Sequence, residues 1–437
     1  MRWFAEHALL PSGLANDVAF TVADGQFTEV SAGADAGTTQ RLPGVVLPGF
    51  ANTHSHAFHR ALRGRSHADG GTFWTWRDRM YAVAARLDPD SYLALARATY
   101  AEMALSGITS VGEFHYLHHA PGGVRYTDPN AMGHALAQAA LEAGIRLTLL
   151  DTCYLAGGLD AAGHAPLNEL QLRFGDGDAE QWAARIEQLT PAAGTVIGAA
   201  IHSVRAVPAD HLAVVLAAAG QAPLHVHLSE QPAENEACQA FYGCSPTELL
   251  AAAGVLGPTS TAVHATHLSA TDVATLGRTR TNVCVCPTTE RDLADGIGPA
   301  RALSDAGCRL SLGSDQHAVI DPIEEARALE MHERLSSRER GRFSPAELLG
   351  ALTDHAGIGW PNAGRLEVGA TADMVAVRLD TVRTAGTVPE QVLLSATAAD
   401  VDTVVIGGRT VVEAGCHRLG DVGALLDSAI RPLWEAS

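Results

Sequence analysis

The sequence predicts an α/β fold, a (β/α)8 TIM-like barrel with a small β-sandwich domain built from both chain ends, on three observations. From residue 45 onward, eight short β-branched apolar runs alternate with Ala- and Leu-rich amphipathic stretches. His and Asp recur at the carboxyl ends of those runs, the rim where barrels of this kind gather their chemistry. Before residue 45 and after about residue 366 the pattern changes to short alternating strands broken by glycine turns.

The elements follow in order. Residues 1–44 alternate apolar and polar positions between turns at Asp24-Gly25, Gly33 and Gly37, and hold no catalytic constellation. The eight runs are Val45–His54, Ile108–Tyr116, Ile145–Tyr154, Val196–Arg205, Pro223–Glu230, Thr261–Ser269, Asn282–Thr289 and Arg309–His317. Between them, Pro89–Leu105 reads as a helix with Asp88 or Asp90 as its cap and Gly107 closing it. Leu212–Ala219 and Pro246–Ala253 read the same way. The tail, with LEVGATADMVAVRLD and VDTVVIGGRTVVEAG, returns to strands. The expected organisation is a composite β-sandwich domain of residues 1–44 and 366–437 beside a metal-dependent catalytic barrel of residues 45–365.

Composition excludes several classes of function. A formal charge of −19 disfavours nucleic acid and anionic membrane as partners. No apolar stretch reaches the ~18 residues of a membrane helix, and MRWFAEHALLPSG is no signal peptide, so the cytoplasm is the expected compartment. Seven scattered cysteines inside apolar segments read as reduced core thiols, with Cys284-Val285-Cys286 as strand packing. All 30 basic residues are arginine. Without lysine there is no Schiff base, no P-loop lysine and no carbamylated lysine to bridge two metals, so a metal site here is expected to be mononuclear or bridged by something else.

Thr53-His54-Ser55-His56 is the leading motif. Imidazoles at i and i+2 of a strand share a face, and on a barrel wall both nitrogens converge on one point, as a divalent ion requires. Later runs end in His225-Val226-His227-Leu228-Ser229-Glu230, Val263-His264-Ala265-Thr266-His267 and Leu312-Gly313-Ser314-Asp315-Gln316-His317. A core of four unpaired ionisable groups would be costly, since alanine or leucine packs better there. Imidazole with carboxylate ligands suits zinc, with iron or manganese as alternatives by availability. His225 sits deeper on the strand and reads as structural, and His267 and His317 read as loop residues or supports of ligands.

Taken in order, PGFANTHSH, HVHLSE, HATHLS and LGSDQH resemble the amidohydrolase superfamily, in its mononuclear deaminase and chlorohydrolase branch. By that resemblance His54, His56, His227 and Asp315 would hold one divalent metal ion, Zn²⁺ before Fe²⁺ or Mn²⁺. Glu230, His264 and Asp315 would be catalytic: Asp315 accepts the proton of the metal-activated water, Glu230 ferries a proton to the departing nitrogen, and His264 polarises the group under attack. A homodimer is also implied by the resemblance.

The flanking segments narrow the substrate. FWTWRDRMY after the first run, EFHYLHH, IHSVRA and CPTTERDL are similar to the formimidoylglutamate deiminases, which hydrolyse N-formimidoyl-L-glutamate to N-formyl-L-glutamate and ammonia in histidine degradation. That substrate carries two carboxylates, so an acidic protein needs local arginines to hold it. Arg77 and Arg205 are the expected clamps, with Tyr116, His202 and His59 as hydrogen-bonding partners. His59 departs from the glutamine usual at its position in that family. Arg60, Arg63 and Arg79 read as surface ion pairs, and Trp74 and Trp76 as loop packing. The alternative is a deaminase of a nucleobase or related heterocycle, for which a second arginine would be idle. A non-catalytic barrel should have lost ligands or the proton carrier, and this chain has lost neither.

Overall fold

The computed structural model describes residues 1–66 and 73–435. Eight parallel strands form the barrel in chain order: Phe50–Ser55, Ile108–His115, Arg146–Cys153, Thr195–Ile201, Leu224–Leu228, Ser260–His264, Asn282–Val285 and Leu310–Leu312. Closure comes from a parallel bridge between Ser55 and Asp315, where Asp315 N–H donates to the His54 carbonyl (3.0 Å) and His56 N–H to that of Asp315 (3.1 Å). The sealing seam therefore aligns the first His pair with the last Asp. Most of these strands are buried throughout because both faces are covered.

The run Val45–His54 is two strands, not one. Gln40–Pro48 lies in a second sheet, and the chain crosses into the barrel at Gly49. A Cβ there would stand 2.5 Å from Thr109 Oγ1 and 2.7 Å from Asp373 Cβ, so only glycine lets the two sheets meet. The other runs keep their order, but each extended segment is shorter. The ends of the last five runs turn out of the sheet, and Pro287–Asp292 begins a helix inside the seventh.

Both chain ends contribute to the second sheet, which joins Arg2–Leu10, Gly13–Ala23, Gln26–Ser31 and Gln40–Pro48 to Met374–Val377, Val401–Ile406, Arg409–Glu413 and Cys416–His417. Alternation sets its two faces. Val46, Met374 and Ala376 join Trp3, Phe20 and Phe27 in a small core, while Val45, Leu47, Val375 and Val377 pack into the barrel's core. The turns at Gly25 and Gly407 touch although several strands separate them, so the sheet curls round its own core into a sandwich. The tail is not all strand: helix Val422–Ile430 packs on Pro89–Leu105.

Pro89–Leu105 has the expected bounds, with Asp88 accepting from Ser91 N–H (2.8 Å) and Gly107 at φ +96° past its end. All seven cysteines are free, but Cys416 is exposed and Cys244 half-buried, which corrects the expectation of core thiols throughout. Among the described residues no helix is long and apolar enough to cross a membrane.

Candidate metal centre and active site

At the carboxyl mouth of the barrel His54, His227, His264 and Asp315 bring ligand atoms within 4.8 Å of one another, and His56, His59 and Asp315 form an overlapping group. His54 Nε2 lies 3.1 Å from His227 Nε2 and 3.2 Å from Asp315 Oδ1, and His56 Nε2 lies 3.4 Å from the same oxygen. A tetrahedral site with bonds of about 2.1 Å has edges of about 3.4 Å, so these separations fit one ion of zinc's size. The second nitrogens of His56 and His227 are held from behind. His56 Nδ1 meets the Phe114 carbonyl at 2.9 Å and His227 Nδ1 the His202 carbonyl at 2.8 Å, which orients both Nε2 lone pairs inward.

Electrostatics divides the cluster. Burial drives His54 down to about 3 and His56 to about 4, and His227 well below its ordinary value, so all three offer neutral nitrogens. His264 goes the other way. Burial opposes its charge, yet Glu230, Glu290 and Asp315 together hold it well above the ordinary imidazole value. Burial also opposes charge on Asp315, but the His54 hydrogen bond and the neighbouring imidazoles keep its carboxyl well below the usual range. Glu230 is raised by burial, which favours its protonated form. Its Oε1 is 3.8 Å from His264 Nε2, and that nitrogen is 4.0 Å from Asp315 Oδ2. His264 Nδ1 points 3.5 Å from Glu290 Oε1, a neighbour that the sequence did not single out.

Backbone strain collects at this rim. Ser229 (φ +50°), His264 (+67°), Ala265 (+51°), Asp315 (+40°) and His317 (+60°) all occupy the left-handed region at the ends of strands five, six and eight. Side-chained residues take that conformation at a cost, and such outliers gather where geometry serves a site.

A cavity of about 470 Å³ opens above the cluster. His56, His59, Arg77, Tyr116, His202, Arg205, His227, Glu230, His264 and Asp315 all line it, while His54 lies at its floor. The structure thus brings every sequence-selected site residue to one place. Burial keeps the Tyr116 phenol protonated and His59 and His202 neutral, all able to donate hydrogen bonds. His59 Nε2 is already 2.9 Å from Tyr116 OH. Arg205 stands in the turn past strand four, and its Nε donates to Glu234 Oε2 at 2.8 Å. Arg77 lies on helix Phe73–Ala84, its guanidinium 5.7 Å from the centre of the Tyr81 ring.

Some expectations change. The segment carrying Arg77 is a helix rather than a loop, and Trp76 lines the cavity with its ring against His59 (5.1 Å) instead of merely packing a loop. The Trp74 side chain lies outside the described residues. His202 was chosen for its ring, but its carbonyl also orients His227. Phe114 and Glu234 went unnoticed, since a backbone carbonyl and a helix glutamate carry no motif. His225 bonds the Gly357 carbonyl (3.0 Å), and His317 bonds Ser314 and Ser55 beside the ligands. Arg60 and Arg63 both pair with Glu102.

Fold and cluster together are those of a metal-dependent barrel hydrolase. The Amidohydrolase family model matches residues 45–411, and the chain belongs to that family. Residues 3–43 match the model described as "Formimidoylglutamate deiminase HutF, N-terminal domain". The chain is 38% identical to a formimidoylglutamate deiminase of Pseudomonas aeruginosa, with 95% of each covered. It is 31% identical to an 8-oxoguanine deaminase of the same organism, over 87% of this chain and 85% of that one. Among solved structures it resembles an amidohydrolase from Brucella melitensis with a TM-score of 0.91 and 33% identity, covering 99% of this chain and 100% of the other.

Proposed function

We propose that this protein hydrolyses N-formimidoyl-L-glutamate to N-formyl-L-glutamate and ammonia. The observation that carries the reading is the placement of two arginines, Arg77 and Arg205, in the same cavity as the His/Asp cluster. Two cations suit a substrate with two carboxylates, whereas a neutral heterocycle offers them no carboxylate to hold. The relative at 38% identity, described as a formimidoylglutamate deiminase, supports this over the more distant 8-oxoguanine deaminase.

In this reading His54, His56, His227 and Asp315 hold a single divalent ion, zinc being the best match to three imidazoles and a carboxylate. Such an ion would supply a Lewis acid able to make water acidic enough to react near neutral pH. Asp315 would take up a proton released at the centre. Glu230, raised by burial, carries a proton to the departing nitrogen, which leaves as ammonia. His264, whose charge the surrounding carboxyl groups favour, donates toward the developing charge. Arg77 and Arg205 grip the carboxylates, and Tyr116, His202 and His59 complete the hydrogen bonding. Anchoring both ends of the substrate orients the formimino carbon over the cluster and can contribute several powers of ten in rate. A cytoplasmic homodimer completes the proposal.

Ammonia release from N-formimidoyl-L-glutamate by zinc-loaded protein, run beside guanine, cytosine and adenosine, tests the reading. Turnover of formimidoylglutamate alone is expected. Turnover of a heterocycle with silence on formimidoylglutamate would keep the hydrolase and overturn the two-arginine pocket.

A further inference from the structure

Glu234 lies in the first turn of helix Pro232–Tyr242, and its side chain is 0% exposed although it borders a cavity. Its two oxygens are divided between two tasks. Oε1 accepts Ser229 N–H at 2.8 Å, in the strained turn that carries Glu230. Oε2 accepts Arg205 Nε–H at 2.8 Å. A guanidinium presents two usable edges, and this contact occupies the Nε side. Among the described residues no side chain bonds the Nη1 and Nη2 groups, the fork that matches a carboxylate bidentately.

We infer that Glu234 is a positioning residue for substrate, locking Arg205 so that its Nη edge faces the cavity and tying that edge to the turn bearing Glu230. The inference rests on the dicarboxylate reading above. It also explains a feature that charge alone does not. A buried glutamate beside the site weakens the field attracting a dianion, so its presence there is worthwhile only if it buys orientation. Arginine's long side chain loses several rotamers when held, and Glu234 keeps it held before substrate arrives.

The two effects differ in sign, which makes the test decisive. In Glu234→Gln the amide oxygen still accepts Ser229 N–H, but the NH2 group faces Arg205 Nε–H, donor against donor. If Glu234 acted only through its charge, the variant would bind a dianion more tightly. As a positioning residue its loss raises KM for N-formimidoyl-L-glutamate about tenfold, with kcat changed less than about threefold and melting lowered by only a few degrees. A fall or no change in KM overturns the inference. Glu234→Asp, which keeps the charge but withdraws it by one methylene, is expected to raise KM as well, and serves if the glutamine variant fails to fold.

Calorimetric binding of N-formyl-L-glutamate, which needs no turnover, separates this inference from the reaction it rests on. Wild-type protein that releases no ammonia, but whose affinity for that probe falls about tenfold on Glu234→Gln, would refute the reaction and keep the positioning role. Turnover with probe affinity and KM unmoved would do the reverse. No turnover and no binding would overturn both.

Discussion

Replacing Arg205 by methionine would remove one of the two proposed carboxylate clamps and little volume, and the structure sets the size of the expected loss. Truncating one partner of a desolvated charge pair costs roughly 2–5 kcal/mol. Taking about 3 kcal/mol, and 1.4 kcal/mol per factor of ten, kcat/KM for N-formimidoyl-L-glutamate falls about 150-fold. Glu234, with its side chain fully enclosed, is left without its cation and repels the substrate as well. The same stranded carboxylate costs the fold about 1–2 kcal/mol, less than the 3–5 kcal/mol of a dry core because the cavity admits water. Melting should therefore drop by only a few degrees. The assay is steady-state ammonia release from formimidoylglutamate and from N-methylformamidine, which has no carboxylate, with melting recorded for each protein. Turnover of the small amidine should change less than about threefold, since it never used the clamp. Equal losses on both substrates would remove Arg205 from the clamp and show a general disturbance of the site.

Asp315→Asn is expected to abolish turnover while circular dichroism and melting stay near wild type, because the backbone bonds of Asp315 to His54 and His56 persist; near-wild-type activity would refute its role. A chelator should remove activity and zinc restore it, with elemental analysis finding one ion per chain; two would contradict the mononuclear site. Acid stability should depend on Arg185, which bonds both oxygens of Asp151 (2.8 Å each) and Asp176 (3.0 Å). Burial opposes charge on both carboxyls, but Arg185 on Asp151, and His119 with Arg185 on Asp176, hold them below the ordinary 3.8. Folded values below unfolded ones mean that the contribution is full above about pH 4 and is lost as pH falls further. Arg185→Met should thus destabilise by about 3–5 kcal/mol at neutral pH and narrow the gap to wild type in acid; an equal gap at pH 3 and pH 7, by denaturant titration, would refute the linkage. Gly49→Ala should destabilise by about 1–3 kcal/mol through overpacking against Thr109 and Asp373, and unchanged melting would show that the joint can yield.

Much of this molecule was readable along the chain because the information is local. Alternating runs and capped helices set the barrel, and Asp88 with Gly107 bounds a helix by hydrogen bonds within a few residues. His54 and His56 declare themselves because strand geometry alone puts i and i+2 on one face. The chain ends show their β character by the same rule, and the charge and the absence of lysine narrow the chemistry before any fold is known.

The tertiary structure decided whatever depends on residues far apart in sequence. Val45–His54 looks like one apolar run, yet contacts with Thr109 and Asp373 split it between two sheets at Gly49. Asp315 joins His54 and His56 only because barrel closure brings residue 315 beside residue 55. The carbonyls of Phe114 and His202 aim the His56 and His227 rings, and every residue has a carbonyl, so no side-chain pattern marks those two. Glu234 reads as an ordinary first-turn glutamate until the fold places Arg205 against it, 29 residues away in the chain. Periodicity and side-chain chemistry are written residue by residue, but hydrogen bonds between distant segments, and the charges they hold in place, exist only once the barrel has closed.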